Sequence, residues 1–213
     1  MPYDMLIFDL DGTLSDPKEG IVHSTNYALT ALGYPALSPE SVDTFIGPPL
    51  DDAFRQITGL EDADRLAVLI TKYREDYGRR GYAANTLYPG IVQVLKRLAR
   101  RDTRLAVCTS KRVDFAEAIL HLHRIRDYFE FVDGGDVGIR KWQQLQALLE
   151  SGVITENSVM IGDRDVDLVA AHHNGLDSAG VLWGYGSRRE LLAQKPTHLL
   201  DEPTQLVELV GRR

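Results

Sequence analysis

The sequence predicts an α/β fold: a doubly wound, mostly parallel sheet with helices on both faces, interrupted once by an all-helical insert. Three observations carry this. Residues 83–213 alternate short apolar runs with stretches of helical periodicity. A first apolar run, Met5–Phe8, stands apart from them near the N-terminus. Between the two, residues 17–82 show helical spacing and no convincing strand. Repeated strand–helix units imply parallel strands with helices on both faces. The expected organisation is therefore a core from residues 1–16 and 83–213, with a helical domain at 17–82.

The elements follow in order. Met5–Phe8 is apolar throughout and bounded by turn chemistry, which reads as a strand buried on both faces. Residues 18–32 place Ile21, Thr25, Ala28 and Leu32 on one helical face, and Gly33 with Pro35 ends the helix. Ser38-Pro39-Glu40 reads as the cap and first turn of a short helix. Ile46-Gly47-Pro48-Pro49-Leu50 is a stiff loop, and helices are expected at residues 51–57 and 62–77. The core resumes with a helix at 91–101, a strand at 104–108 and a helix at 113–123. A short strand at 131–132, a helix at 142–149 and a strand at 158–162 come next. A helix to about residue 174 and strands at 179–183 and 198–200 complete it.

Composition narrows the function classes. A net charge of −7 offers no basic field for a nucleic acid backbone. The basic clusters, such as Arg100-Arg101 and Arg188-Arg189, are short and scattered, as on solvated helix faces. No apolar run approaches the length needed to span a bilayer. Acidic residues at Asp4 and Asp9 do not fit a secretory signal, and the single cysteine, Cys108, excludes an internal disulfide framework. A cytoplasmic protein acting on a small molecule is expected.

The chemistry gathers at the strand ends, where ligands of such sheets bind. Asp9 and Asp11 follow the first strand, Thr109 the second, and Asp163 the strand near 160, with Asp167 one helical turn on. Carboxylates are hard oxygen donors suited to Mg²⁺. Thr109 brings a hydroxyl and an amide to a strand-to-helix turn, a natural phosphate contact. A lysine such as Lys141 adds a point charge. No Ser/His/Asp triad or zinc-spaced Cys/His cluster is present. The set points to phosphoryl transfer with an aspartate nucleophile.

These motifs, Asp9-Leu10-Asp11-Gly12-Thr13, Thr109-Ser110, Lys141 and Gly162-Asp163 with Asp167, resemble in order those of the haloacid dehalogenase-like superfamily. That family has a Rossmann-like core, and the insert at 17–82 resembles its C1-type helical cap. Ile46-Gly-Pro-Pro-Leu50, Leu87-Tyr-Pro-Gly90, Thr109-Ser-Lys111 and Gly184-Tyr-Gly-Ser187 resemble the branch of phosphoglycolate phosphatases and 5′-nucleotidases.

The resemblance implies the roles. Asp9 is the expected nucleophile and Mg²⁺ ligand. Asp11 is the expected general acid and base, its backbone carbonyl on the metal. Thr109 holds the phosphate with the amides of Ser110, Leu10 and Asp11. Lys141 neutralises phosphate charge, Asp163 ligates Mg²⁺, and Asp167 sits beside the metal or pairs with Lys141. Motif three departs from the Lys-Pro of many relatives, reading Arg140-Lys141-Trp142, so Lys111 and Arg140 stand as alternatives. Ile46 to Leu50, Arg55, Glu19 and His23 are candidate contacts to the leaving group. Asp165 reads as a helix cap, Cys108 as a buried strand residue, His172-His173 as divergent surface residues, and Trp142 and Trp183 as packing. The implied activity is Mg²⁺-dependent phosphomonoester hydrolysis of a small metabolite, a nucleoside 5′-monophosphate first and 2-phosphoglycolate second. A phosphosugar mutase and a non-catalytic phosphate-binding module are the other readings.

Overall fold

The computed structural model describes residues 3–101 and 103–210. The remaining residues of the expected core, 1–2, 102 and 211–213, lie outside them. The chain runs β1 (Met5–Phe8), β2 (Ser15–Asp16), α1 (Lys18–Ala31), α2 (Pro39–Val42), α3 (Leu50–Thr58), α4 (Ala63–Arg79) and β3 (Thr86–Leu87). It continues through α5 (Ile91–Leu98), β4 (Arg104–Thr109), α6 (Val113–Leu122), β5 (Val132–Gly134), α7 (Lys141–Glu150) and β6 (Ser158–Gly162). It closes with α8 (Asp165–His173), β7 (Asp177–Val181), α9 (Arg188–Ala193), β8 (His198–Leu200) and a 3-10 segment, Pro203–Leu209.

Six strands form one sheet in the order β5-β4-β1-β6-β7-β8, every neighbouring pair parallel. β1 is central because it is apolar on both faces. Met5 and Ile7 pack with Leu145, Met160 and Ala171 on one side. Leu6 and Phe8 pack with Leu95, Ile119 and Leu206 on the other. The two-residue alternation of a strand produces this division. Each such side chain contributes about 1.5–3 kcal/mol on burial. The strand order reverses at β1, between β4 and β6, and that opens a crevice at its carboxyl end.

The segment between β2 and β3 is helical, as expected, and has its own apolar cluster. Ala28 and Leu29 of α1, Phe54 of α3, and Leu69, Tyr73 and Tyr77 of α4 form it, joined by Phe115 from α6. Asp62 caps α4 by accepting from the Arg65 amide at 3.0 Å. Polar contacts seat this segment on the core, among them Arg140 to Asp52 at 2.9 Å, Arg74 to Asp136 at 2.5 Å, and Arg164 Nη1 donating to the Ile46 carbonyl at 2.5 Å.

Four details depart from the sequence reading. α5 stops at Leu98 rather than residue 101, where its buried face of Ile91, Val94, Leu95 and Leu98 runs out. β5 occupies 132–134 rather than 131–132, its register set by β4. β7 occupies 177–181 rather than 179–183, because Val159 to Gly162 of β6 pair with its first four residues. Trp183 lies past the strand and donates its indole N–H to the Thr13 carbonyl at 2.9 Å. Finally, β2 and β3 pair antiparallel, an association of distant segments that local pattern does not signal.

Candidate active site

The residues expected to be catalytic converge on the crevice beyond β1. Asp9 leaves the strand with its amide still donating to Ile161 of β6 at 2.8 Å. The Leu10 carbonyl then accepts from the Leu14 and Ser15 amides at 2.9 and 3.1 Å, closing a tight turn that presents Asp11. Gly12 adopts φ +87° inside that turn, and a Cβ there would lie 2.2 Å from Asp163 Oδ2. Only glycine fits both the conformation and the space.

Asp163 follows β6 and is held by the Tyr185 amide at 2.8 Å, with the Thr13 hydroxyl 3.4 Å from its other oxygen. Asp167, in the first turn of α8, accepts from the Arg164 amide at 3.1 Å. A Cβ on Gly162 would fall 2.2 Å from the Asp167 carboxyl carbon, so the β6 terminus must be bare for Asp167 to pack there. Lys141 opens α7, a helix end whose dipole disfavours a cation. Two carboxylates outweigh that: Lys141 Nζ lies 2.9 Å from Asp9 Oδ1 and donates to Asp167. Neither alternative for motif three takes this place. Arg140 reaches Asp52, and Lys111 pairs with Asp11 at 2.7 Å.

One oxygen each from Asp9, Asp163 and Asp167 falls within 4.8 Å of the others, all three residues buried. Burial pushes the Asp163 carboxyl well above its ordinary range, with Asp167 and Asp9 adding repulsion. Burial also lifts Asp167 to about 6, Lys141 opposing and Asp9 reinforcing the shift. Three buried, mutually repelling hard oxygen donors suit a hard divalent cation such as Mg²⁺. Lys141 keeps its proton: burial works against the charge, but Asp167 and Asp9 raise its pKa overall.

Thr109, the last residue of β4, and Ser110 line the same cavity as Asp9 and Asp11. The Ser110 hydroxyl is buried and unpartnered. Asp11 is raised above the ordinary carboxylate range by burial, while Lys111 lowers it. Of the expected leaving-group contacts, Ile46, Gly47, Pro48 and Leu50 line this cavity. Arg55 does not, and Glu19 and His23 line a separate groove on the far side of α1. Helical spacing turns those residues outward, which a linear reading could not resolve. The cavity wall instead includes Thr25, Phe54, Tyr73, Tyr77, Lys111 and Phe115. In the sequence Thr25 shows only as a member of an apolar helix face, and Tyr73 only as part of the helix expected at 62–77.

The remaining candidates are structural. Burial raises the Cys108 thiol far out of the reactive range. His172 bonds the Ser178 hydroxyl at 2.8 Å, and His173 packs on Trp142.

The profile of the haloacid dehalogenase-like hydrolases matches residues 6–181. The chain belongs to that family. A 5′-nucleotidase of Pseudomonas aeruginosa is 39% identical over 200 residues, covering 92% of this chain and 90% of that protein. A protein of Mycobacterium tuberculosis named tyrosine-protein kinase PtkA is 37% identical over 211 residues, 96% of this chain and 70% of that protein. The crystal structure of a predicted phosphatase from Clostridium acetobutylicum superposes with a TM-score of 0.93 at 32% identity, covering 98% of each chain. Among the described residues no helix is long and apolar enough to cross a membrane.

Proposed function

We propose that this chain is a Mg²⁺-dependent phosphomonoesterase that passes through an aspartyl-phosphate on Asp9, with a nucleoside 5′-monophosphate as its best substrate. The family and its phosphatase relatives make it a phosphoric monoester hydrolase; the metal, the residue roles and the substrate are our reading. The observation that carries it is the setting of Asp9. Its carboxylate is buried, 2.9 Å from Lys141 and grouped with Asp163 and Asp167, with Asp11 lining the same cavity.

In the first step an Asp9 oxygen attacks phosphorus, the bond to the leaving oxygen breaks, and the Asp11 carboxyl gives that oxygen its proton. In the second, water attacks the Asp9 phosphate, Asp11 takes the water proton, and inorganic phosphate leaves with Asp9 restored. Acid–base assistance of this kind contributes about 10²–10⁴-fold. Asp9, Asp163 and the Asp11 backbone carbonyl would hold Mg²⁺, which neutralises charge on the transferring phosphoryl group. Asp167 stands behind them, fixing Lys141 by its hydrogen bond. Thr109 and Ser110, with the amides of Leu10 and Asp11, would hold the phosphate oxygens.

Residues 17–82 act as a cap in this reading. The cavity has a free volume of about 80 Å³, below the ~150 Å³ of a cavity that takes up benzene, so with a nucleotide bound the helices would stand further from the core than they do here. Covering the bound phosphate would still exclude water from the first step. The alternative 2-phosphoglycolate is supported by Lys111, a buried cation in the cavity wall suited to a second acidic group.

A panel of phosphorylated metabolites, assayed for alcohol and free phosphate with Mg²⁺ or with chelator, tests the reading. Equal release of both products, lost on chelation and highest for nucleotides, is the expected outcome. Alcohol release without matching phosphate would mean transfer to another acceptor, the chemistry that the kinase-named relative suggests.

A further inference from the structure

The wall facing the catalytic aspartates is built for something flat and apolar. Ile21, Leu50, Phe54, Ile57, Tyr77 and Phe115 make up most of it. The same cavity carries the charged side chains of Arg74, Lys111, Arg112 and Asp136, and between these and the apolar residues stand two hydroxyls, those of Tyr73 and Thr25. Tyr73 is 6% exposed and Thr25 4%, both line the cavity, and neither hydroxyl has a hydrogen-bond partner among the described residues. The other cavity tyrosine is different, since the Tyr77 hydroxyl accepts from Lys111 at 2.9 Å. Neither oxygen is sealed off from the cavity, so both are open to a partner that enters it, and a ligand that covers them without bonding them forfeits their hydrogen bonds to water.

The Tyr73 ring is also held in place. It lies parallel to Tyr77, at 5.3 Å and 13°, and edge-on to Phe54 at 6.0 Å. A ring fixed on two sides cannot swing its hydroxyl away to find another acceptor, so the partner has to come to it. Burial keeps the phenol protonated far above neutral pH, so it both donates and accepts.

We propose that the Tyr73 and Thr25 hydroxyls are the polar contacts for a heteroaromatic base on the leaving group, with Tyr73 a specificity-determining residue of the cap. A planar ring with polar atoms in its edge suits an aromatic wall carrying two isolated hydroxyls. The inference rests on the nucleotide reading above and deepens it by saying which residues read the base.

The test compares wild type, Tyr73→Phe and Thr25→Val, which remove a hydroxyl and keep the shape. For each, kcat/KM is measured on AMP, GMP, CMP, UMP and ribose 5-phosphate with saturating Mg²⁺. The expected result is that wild type prefers at least one nucleotide to ribose 5-phosphate tenfold or more. Tyr73→Phe then lowers that ratio at least fivefold, through KM more than kcat. An equal loss on nucleotide and ribose 5-phosphate, or an unchanged ratio, overturns the inference while leaving nucleotide hydrolysis standing. Wild-type turnover of other monoesters but no nucleotide overturns both this inference and the substrate reading. Thermal melting of each variant separates a folding defect from a lost contact, and binding of AMP to Asp9→Asn and to its Tyr73→Phe double variant gives the contact without turnover. Equal AMP affinity in the two also overturns the inference.

Discussion

Lys111 Nζ lies 2.7 Å from Asp11 Oδ2, and the same ammonium donates to the Tyr77 hydroxyl at 2.9 Å and sits 4.5 Å over the Tyr77 ring. The proposed general acid is thus joined by one side chain to α4. Pairing with Lys111 favours the ionised form of Asp11, against burial, which favours the protonated one. Replacing Lys111 with Met removes the opposing influence and raises Asp11 further. The first step needs Asp11 protonated, so the alkaline limb of kcat/KM against pH is expected to move up in Lys111→Met. A limb that stays in place or moves down contradicts the pairing.

Asp9→Asn keeps the shape of the strand end and removes the nucleophile. Phosphate release is expected to fall by at least 10³-fold, about 4 kcal/mol of barrier, with the far-ultraviolet spectrum unchanged. Residual activity within tenfold of wild type would contradict the aspartyl-phosphate route.

Lys141→Met leaves Asp9 and Asp167 buried beside each other without their cation. Breaking a buried pair from one side costs about 3–5 kcal/mol, which at this chain length lowers the melting midpoint by roughly 10 °C. Adding Asp167→Asn removes one of the stranded charges. The double variant is expected to regain much of the midpoint and none of the activity. Recovery of both together would remove Lys141 from the chemistry.

Metal and pH are expected to act on stability through the same carboxylates. Asp167 is raised to about 6 in the folded chain, against ~3.9 for an ordinary Asp. Between those values the folded state binds a proton that the unfolded state has released. Stability of the metal-free protein therefore falls as pH rises through that window, by on the order of 3 kcal/mol. The raised Asp163 extends the trend upward. Mg²⁺ offsets the repulsion, so denaturant midpoints from pH 4 to 7 should decline with EDTA and flatten with millimolar Mg²⁺. Identical profiles in both would argue against a metal at Asp9 and Asp163, beside Asp167.

The sheet was legible because its strands are buried on both faces and read as unbroken apolar runs, β1 above all. The site was legible because its acidic residues sit at strand ends, where a short motif fixes geometry locally. Lys141 was separable from Lys111 and Arg140 only as the residue that opens α7. What stayed hidden depends on rotation and on distance along the chain. Arg55, Glu19 and His23 belong to the right helices but turn away from the cavity. Tyr73 reads as an ordinary core residue of α4, because the sequence shows its periodicity and not what its hydroxyl lacks. Lys111 carries no local sign that its partners are Asp11 and Tyr77, which lie far from it in sequence.

The small ribbon of β2 and β3 bears on how this architecture is assembled. Ser15 pairs with Leu87 and Asp16 with Thr86, so the chain departs from the core and comes back at one spot, on adjacent strands. To the sheet, everything between them is topologically a single hairpin loop. Such a module is exchangeable: a different helical insert, or a two-residue turn, could be spliced across Asp16 and Thr86 without moving β1. The ribbon also ties the two crossing strands to each other, so the helical segment is joined to the sheet through one paired connection and not through two independent linkers.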